Sequence, residues 1–304
     1  MQPHSEAKPA WKYLNPADLK RLHNLKFAAK LVVEGFYHGQ HRSPYHDFSA
    51  EFADYRPYVP GDETRSIDWR AFARTDRLYI KLYRKETDMN CMVVVDKSNS
   101  MAYRGATEVT KLDYASQLAG ALAYLMIKQG DKAGLAVCDD LLREFIPPGS
   151  TNQTLNQVLS TLEKVRPGGT TRLADALRTL SGIVRRKGLL IVISDFLDAT
   201  PEVFSALSMF VHKGFSVLLF QTLTDEELDL PDIGNAIFSD MEGPLKVTVE
   251  TDSIRAAYQE EIAAFIRDME TNAKARRIHY QLAPTSQPYH KALEAFLTAR
   301  MRTA

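Results

Sequence analysis

Cysteine is scarce. Cys91 and Cys138 are the only two in 304 residues, and both sit beside apolar runs. Two isolated thiols make neither a disulfide framework nor a zinc ribbon, so a reducing compartment is expected. Long apolar runs are missing too: nothing reaches the roughly 18–20 consecutive apolar residues of a membrane helix. The opening MQPHSEAKPAWKY lacks the apolar core of a secretory signal. The expected location is the cytoplasm, with no membrane span. No charge sign dominates, with Lys plus Arg at 38 and Asp plus Glu at 38. That balance gives no bulk pull toward nucleic acid or anionic lipid. Residues 223–304 tilt acidic, with 9 basic against 14 acidic groups, an excess of five. Nucleotide and hydrolase signatures are also absent: there is no G-x-x-x-x-G-K-[ST], G-x-G-x-x-G, G-x-S-x-G or H-E-x-x-H.

What is present is an alternation of short apolar runs and longer helical periods from residue 89 onward. MNCMVVV, KAGLAVC, LLREFIP, GLLIVIS and FSVLLFQTL read as strands, because each is a continuous apolar run of strand length. Asp139-Asp140 joins the second and third like a hairpin. LDYASQLAGALAYLMIKQG places Leu112, Ala115, Leu118, Leu122 and Met126 on one helical face and ends at Gly130. TNQTLNQVLSTLEKV, RLADALRTLSGIVRR and PEVFSALSMFVHKG follow as helices. Beyond residue 222 come a short pair of strands, NAIFSD and LKVTVE, and the helix SIRAAYQEEIAAFIRDME. A last strand, RRIHYQLA, and the helix YHKALEAFLTARM finish the chain. Strands alternating with helices predict an α/β fold with a doubly wound, mostly parallel sheet. In such sheets ligands sit beyond the carboxyl ends of the strands, where the winding reverses.

The first 85 residues differ in texture and are expected to form an N-terminal helical and irregular segment packed on the domain of residues 86–304. PADLKRLHNLKFAAKLVV reads as a helix. The arginines that follow are interleaved with Asp54, Asp62, Glu63, Asp68 and Asp76, which predicts arginine–carboxylate pairs over phosphate contacts. His38, His41 and His46 read as a polar loop in preference to a transition-metal site.

Oxygen donors collect at the strand ends. VVVDKSNSM puts Asp96, Ser98 and Ser100 after the first strand of the domain. GLLIVISD puts Asp195 after a later one, and PGGTTRLADAL puts two threonines at a helix start. Taken singly, each could be a helix cap. Taken together, hydroxyls and carboxylates without His or Cys suit a hard cation such as Mg²⁺ or Mn²⁺. The LTDEELDLPD helix reads as acidic and solvent-facing.

D-x-S-x-S, a Gly-Gly-Thr helix start and a later S-D, in that order, resemble the metal-ion-dependent adhesion site of a von Willebrand factor A domain. Upstream, YVPGDETRSIDW within residues 39–83 resembles the hallmark of the bacterial domain-of-unknown-function-58 family, and the likeness extends over about residues 35–300. The resemblance implies Ser98 and Ser100 as direct metal ligands, with Asp96 and Asp195 acting mainly through water. The family's threonine lies two positions before the helix's first leucine, Leu173, and so selects Thr171. Adjacency to the glycine pair would select Thr170. Lys97 departs from the small or hydroxylated residue many members carry, and a solvent-facing side chain is expected for it. The resemblance further implies a non-enzymatic, Mg²⁺-dependent protein-interaction module. It would act as an adaptor or co-chaperone alongside a MoxR-type AAA+ ATPase and other von Willebrand A proteins. The alternative is a haloacid-dehalogenase-like Mg²⁺-dependent phosphohydrolase using Asp96. That chemistry wants a second Asp two residues on, where this chain has Ser98.

Overall fold

The computed structural model describes residues 50–59, 67–85, 89–197, 201–241 and 245–294. The expected helix of residues 16–33 and the histidines at 38, 41 and 46 lie outside them. The described residues fall into two compact units, 50–85 and 89–294. In the smaller unit, β1 (Ala50–Pro57) pairs antiparallel with β2 (Tyr79–Lys85). Between them lies the short helix α1 (Trp69–Thr75). Asp68 starts that helix: its carboxylate accepts the Ala71 amide at 3.2 Å, an N-cap bond.

The larger unit is built on a six-stranded sheet. Its strands are β3 (Asn90–Asp96), β4 (Lys132–Cys138), β5 (Leu142–Gly149), β6 (Gly188–Ser194), β7 (Ser216–Gln221) and β10 (His279–Leu282). They lie in the order β10-β7-β6-β3-β4-β5, all parallel except β5, which turns back antiparallel on β4 at the edge. The doubly wound α/β fold expected from the sequence is present. Pro147 and Pro148 fall in β5, on an edge strand where a missing amide donor is tolerated.

The central strands read as unbroken apolar runs because both faces are covered. Cys91, Val93 and Val95 of β3 face one core, with α2 (Lys111–Gln129) and α3 (Asn152–Lys164). Met92 and Val94 face the other, with α4 (Leu173–Ile183), α5 (Pro201–His212) and the end of α7 (Thr251–Ala275). Two further elements precede α7. The short helix α6 (Asp225–Leu228) follows β7, and β8 (Asn235–Ser239) pairs with β9 (Lys246–Glu250) as a separate two-stranded hairpin.

Strand β3 has β4 on one side and β6 on the other. The chain leaves β3 through α2 for β4, then comes back through α3 and α4 to lay β6 along the opposite edge of β3. The winding therefore reverses between β3 and β6. Asp96 closes the first of these strands, and Asp195 follows the second directly.

Candidate metal centre

Asp96 and Asp195 are each 1% exposed, two carboxylates at the mouth of the switch between neighbouring parallel strands. Burial costs each charge its hydration. For Asp96 that burial, and then the negative charge of Asp195, push the carboxyl up to about 7 against the pull of hydrogen bonds from Ser194 and Ser98. The Ser194 hydroxyl donates to Asp96 Oδ2 at 2.7 Å, and the Ser98 amide donates to Oδ1 at 2.9 Å. The second bond is a local turn of the Asx type, which bends the chain out of β3.

That turn presents two hydroxyls. Ser98 is fully buried, and its Oγ lies 3.1 Å from that of Ser100. Neither oxygen is consumed in the way a helix start would consume it. Ser98 holds the cap position of the 3₁₀ turn Asn99–Ala102 without making a side-chain cap bond. The glycine turn is laced to the same loop. The Gly168 amide donates to the Lys97 carbonyl at 2.8 Å, and the Asn99 amide to the Gly169 carbonyl at 3.1 Å. Gly169 has φ +86, and a side chain there would meet the Asp139 carboxylate at 2.8 Å, so two reasons demand glycine.

Of the two threonines that follow, Thr171 is half-buried and shares a groove with Ser100, while Thr170 is exposed. The cap position of α4 belongs to Arg172, which makes no side-chain cap bond. The simple capping role open to the threonines in the sequence is therefore not the one that starts this helix.

Lys97 corrects an expectation. Its side chain is 19% exposed and reaches back along the loop, not out to solvent. Its ammonium lies 2.8 Å from Asp139 Oδ2 and donates to the Gly168 carbonyl at 3.1 Å. Asp139 also takes the Arg143 guanidinium at 2.6 Å. Burial works against the Asp139 charge, but hydrogen bonds from Lys97 and neighbours outweigh it and hold the carboxyl well below its ordinary range.

The cation beside the centre is instead Lys111, which the sequence did not single out. It is fully buried, and its ammonium donates to Asp195 Oδ2 at 2.7 Å and to Glu227 Oε1 at 2.6 Å. Burial disfavours its charge, yet the two carboxylates outweigh that penalty and raise its pKa. Glu227 also closes a capping box on α6, its Oε2 accepting the Thr224 amide at 2.8 Å. The LTDEELDLPD helix is thus not simply solvent-facing: Glu227 turns inward, and Glu226 Oε1 accepts the Ala106 amide at 2.7 Å. A signal for Lys111 did exist. A lysine in the first turn of a helix stands against the helix dipole, and it needs nearby carboxylates to be tolerated.

The donor set fits a hard divalent cation. Mg²⁺ wants six oxygens in an octahedron at about 2.0–2.1 Å, which puts neighbouring ligands about 2.9 Å apart. The 3.1 Å between the Ser98 and Ser100 oxygens matches that spacing. A divalent cation there would offset the repulsion between Asp96 and Asp195, the second of which shares the Lys111 ammonium with Glu227. Every carboxylate oxygen of Asp96 and Asp195 already accepts one bond from the protein. Each keeps a second lone pair, suited to a metal-bound water.

A pH dependence follows. A carboxyl raised to about 7 in the folded chain and near its ordinary 3.8 when unfolded binds its proton more tightly when folded. Its stabilising effect is complete below the unfolded value and is lost as pH rises from about 4 through about 7. In the presence of EDTA, Asp96→Asn removes that loss, so the difference between wild type and variant in urea midpoint grows in the variant's favour up to pH 7 and then levels. A difference that stays flat across this range contradicts the burial of Asp96 as a charge in the metal-free protein.

A family model described as protein of unknown function DUF58 matches residues 54–267, 214 of the 304. The uncharacterized protein Rv1480 of Mycobacterium tuberculosis strain H37Rv is 27% identical over 224 residues, covering 73% of this chain and 70% of that one. Among solved structures, the conserved hypothetical protein BatB from Bacteroides thetaiotaomicron is similar at 19% identity and TM-score 0.48. That match covers 70% of this chain and 99% of BatB. The SpRpn10 VWA domain is similar at 9% identity and TM-score 0.40, covering 68% of this chain and 94% of its own. Among the described residues no helix is long and apolar enough to cross a membrane.

Proposed function

Since the chain belongs to the family described as protein of unknown function DUF58, we propose from its own geometry that it is a Mg²⁺-dependent protein-interaction module and not an enzyme. The observation that carries this reading is the pair of serine hydroxyls, 3.1 Å apart and unused as caps, beside two buried carboxylates at the switch point of the sheet. Ser98, Ser100 and Thr171 offer neutral oxygens as direct ligands. Asp96 and Asp195 stand behind them and order bound water. When bound, the ion supplies an electrophilic position open to a carboxylate of another protein, because neutral ligands leave it much of its charge.

The geometry speaks against turnover at Asp96. Its two oxygens are held by the Ser98 amide and the Ser194 hydroxyl, and the residue is 1% exposed, which is a poor presentation for a nucleophile. The partner implied by the resemblance is a MoxR-type AAA+ ATPase, with adaptor or co-chaperone work as the role; that partner is proposed by analogy.

The test is capture of the purified MoxR-type ATPase of the same organism on immobilised wild-type protein and on Asp96→Asn. Retention in Mg²⁺ that is lost in EDTA and in the variant is expected. Retention indifferent to both would sink the metal-bridged reading.

A further inference from the structure

The residues of the metal centre continue into a groove of about 690 Å³, lined by Ser100, Thr171 and Lys111 together with Ile237 and Phe238 of the β8–β9 hairpin. Leu230, Ile233 and Tyr258 line it as well. The hairpin is unusually apolar for an exposed element. Ile233 just before it is 63% exposed, Ile237 is 69% and Leu245 is 64%, with Phe238, Met241 and Val247 also open to solvent. Side chains of this size gathered on one arm mark an interaction surface more often than scattered exposure does. Within the described residues β8 and β9 pair only with each other, so each keeps one open edge. Such edges accept an extended segment by strand addition.

Charge narrows the occupant. The Lys, Arg, Asp and Glu side chains lining the groove are Lys111, Glu226, Glu227 and Asp240, one basic against three acidic. Lys111 is taken up by Asp195 and Glu227. Glu226 is held down by the Ala106 amide through one oxygen, while its other oxygen is buried without a hydrogen-bond partner. A second carboxylate arriving along these walls would meet like charge in a partly desolvated setting.

We propose that this groove binds an extended segment of a partner protein bearing a single carboxylate flanked by large apolar side chains. The carboxylate sits at the end formed by Ser100 and Thr171, and the flanking side chains lie against Ile237 and Phe238. The carboxylate's place rests on the metal-bridged reading above; the apolar flanks rest on the hairpin alone. An acidic tract is the wrong ligand.

The experiment is a positional-scanning library of nonapeptides with a fixed central Asp and randomised flanks. It is selected in Mg²⁺ on wild type and on a double variant, Ile237→Ser with Phe238→Ser. Wild type is expected to favour Leu, Ile, Phe or Met over Asp or Glu at flanking positions by about tenfold, a 1.4 kcal/mol preference. The double variant is expected to lose that preference while keeping the thermal stabilisation by Mg²⁺ that reports an intact centre. No flank preference, a preference for acidic flanks, or the same selection by the double variant overturns the proposal. So does concentration-dependent dimerisation of wild type that the double variant abolishes, since the occupant would then be a second copy. Apolar selection that survives both EDTA and exchange of the central Asp for Asn leaves the groove standing and removes the metal-bridged reading.

Discussion

Mg²⁺ added to the EDTA-treated protein is expected to raise its Tm by several degrees, and neither Ser98→Ala nor Ser100→Ala should show the shift. A ligand that binds only the folded state at about a hundred times its Kd contributes about 2.7 kcal/mol. For a domain of this size each kcal/mol moves Tm by about 2–4 °C, so the expected rise is about 5–10 °C. The physical source is the burial of Asp96 beside the Asp195 charge, which Lys111 pairs from the Asp195 side alone and a divalent ion would offset for both. The serines remove little from the metal-free protein. The Ser98 and Ser100 hydroxyls bond to each other, that of Ser98 also interacts with Asp96, and deleting one hydroxyl costs about 1 kcal/mol. A variant that starts near wild-type stability but ignores Mg²⁺ separates ligation from folding. Thr171→Ala should blunt the shift while the exposed Thr170→Ala keeps it, which also decides between the two threonines.

Lys111→Met is expected to be the most damaging single change at the centre. The methionine fits the buried stem of the lysine but removes the ammonium that pairs with both Asp195 and Glu227. Breaking a buried ion pair from one side costs about 3–5 kcal/mol, because the remaining charges stay desolvated. In EDTA the urea midpoint should fall accordingly. Mg²⁺ should recover part of the loss, since a divalent ion then supplies the missing positive charge near Asp195. A double-mutant cycle with Glu227→Gln isolates the link to α6. The double variant should be less destabilised than the sum of the singles, by about 0.5–3 kcal/mol. Strict additivity would mean that Lys111 and Glu227 do not act on each other, contrary to their 2.6 Å contact.

The strands of the sheet were legible because each is buried on both faces and so reads as an unbroken apolar run. MNCMVVV and GLLIVIS, the two that flank the winding reversal, are the clearest cases. The placement of Asp96 and Asp195 at strand ends was legible for the same reason, since strand ends are where such runs stop; that the two strands are neighbours is a matter of strand order. What period and composition could not carry was the pairing of long side chains across the fold. Lys111, Asp195 and Glu227 are separated by 84 and 116 residues along the chain. Lys97 looked like a surface lysine because its partner, Asp139, follows the next strand, and only the β3–β4 register brings them together. Glu227 looked like part of an acidic surface helix, because nothing in LTDEELDLPD distinguishes an inward carboxylate from an outward one. The hairpin, in turn, was recognised as a pair of strands. That its apolar side chains are exposed beside the centre is a fact of packing, invisible to alternation alone.

The central claim is that Ser98 and Ser100 hold a divalent cation in front of Asp96 and Asp195. Isothermal titration of Mg²⁺ into the metal-free protein tests it most directly, with the Ser98→Ala, Ser100→Ala double variant alongside. The account predicts one ion bound per wild-type chain and no binding to the double variant at the same concentrations. A wild-type chain that takes up no Mg²⁺, or a double variant that binds it as well as wild type does, would contradict the account.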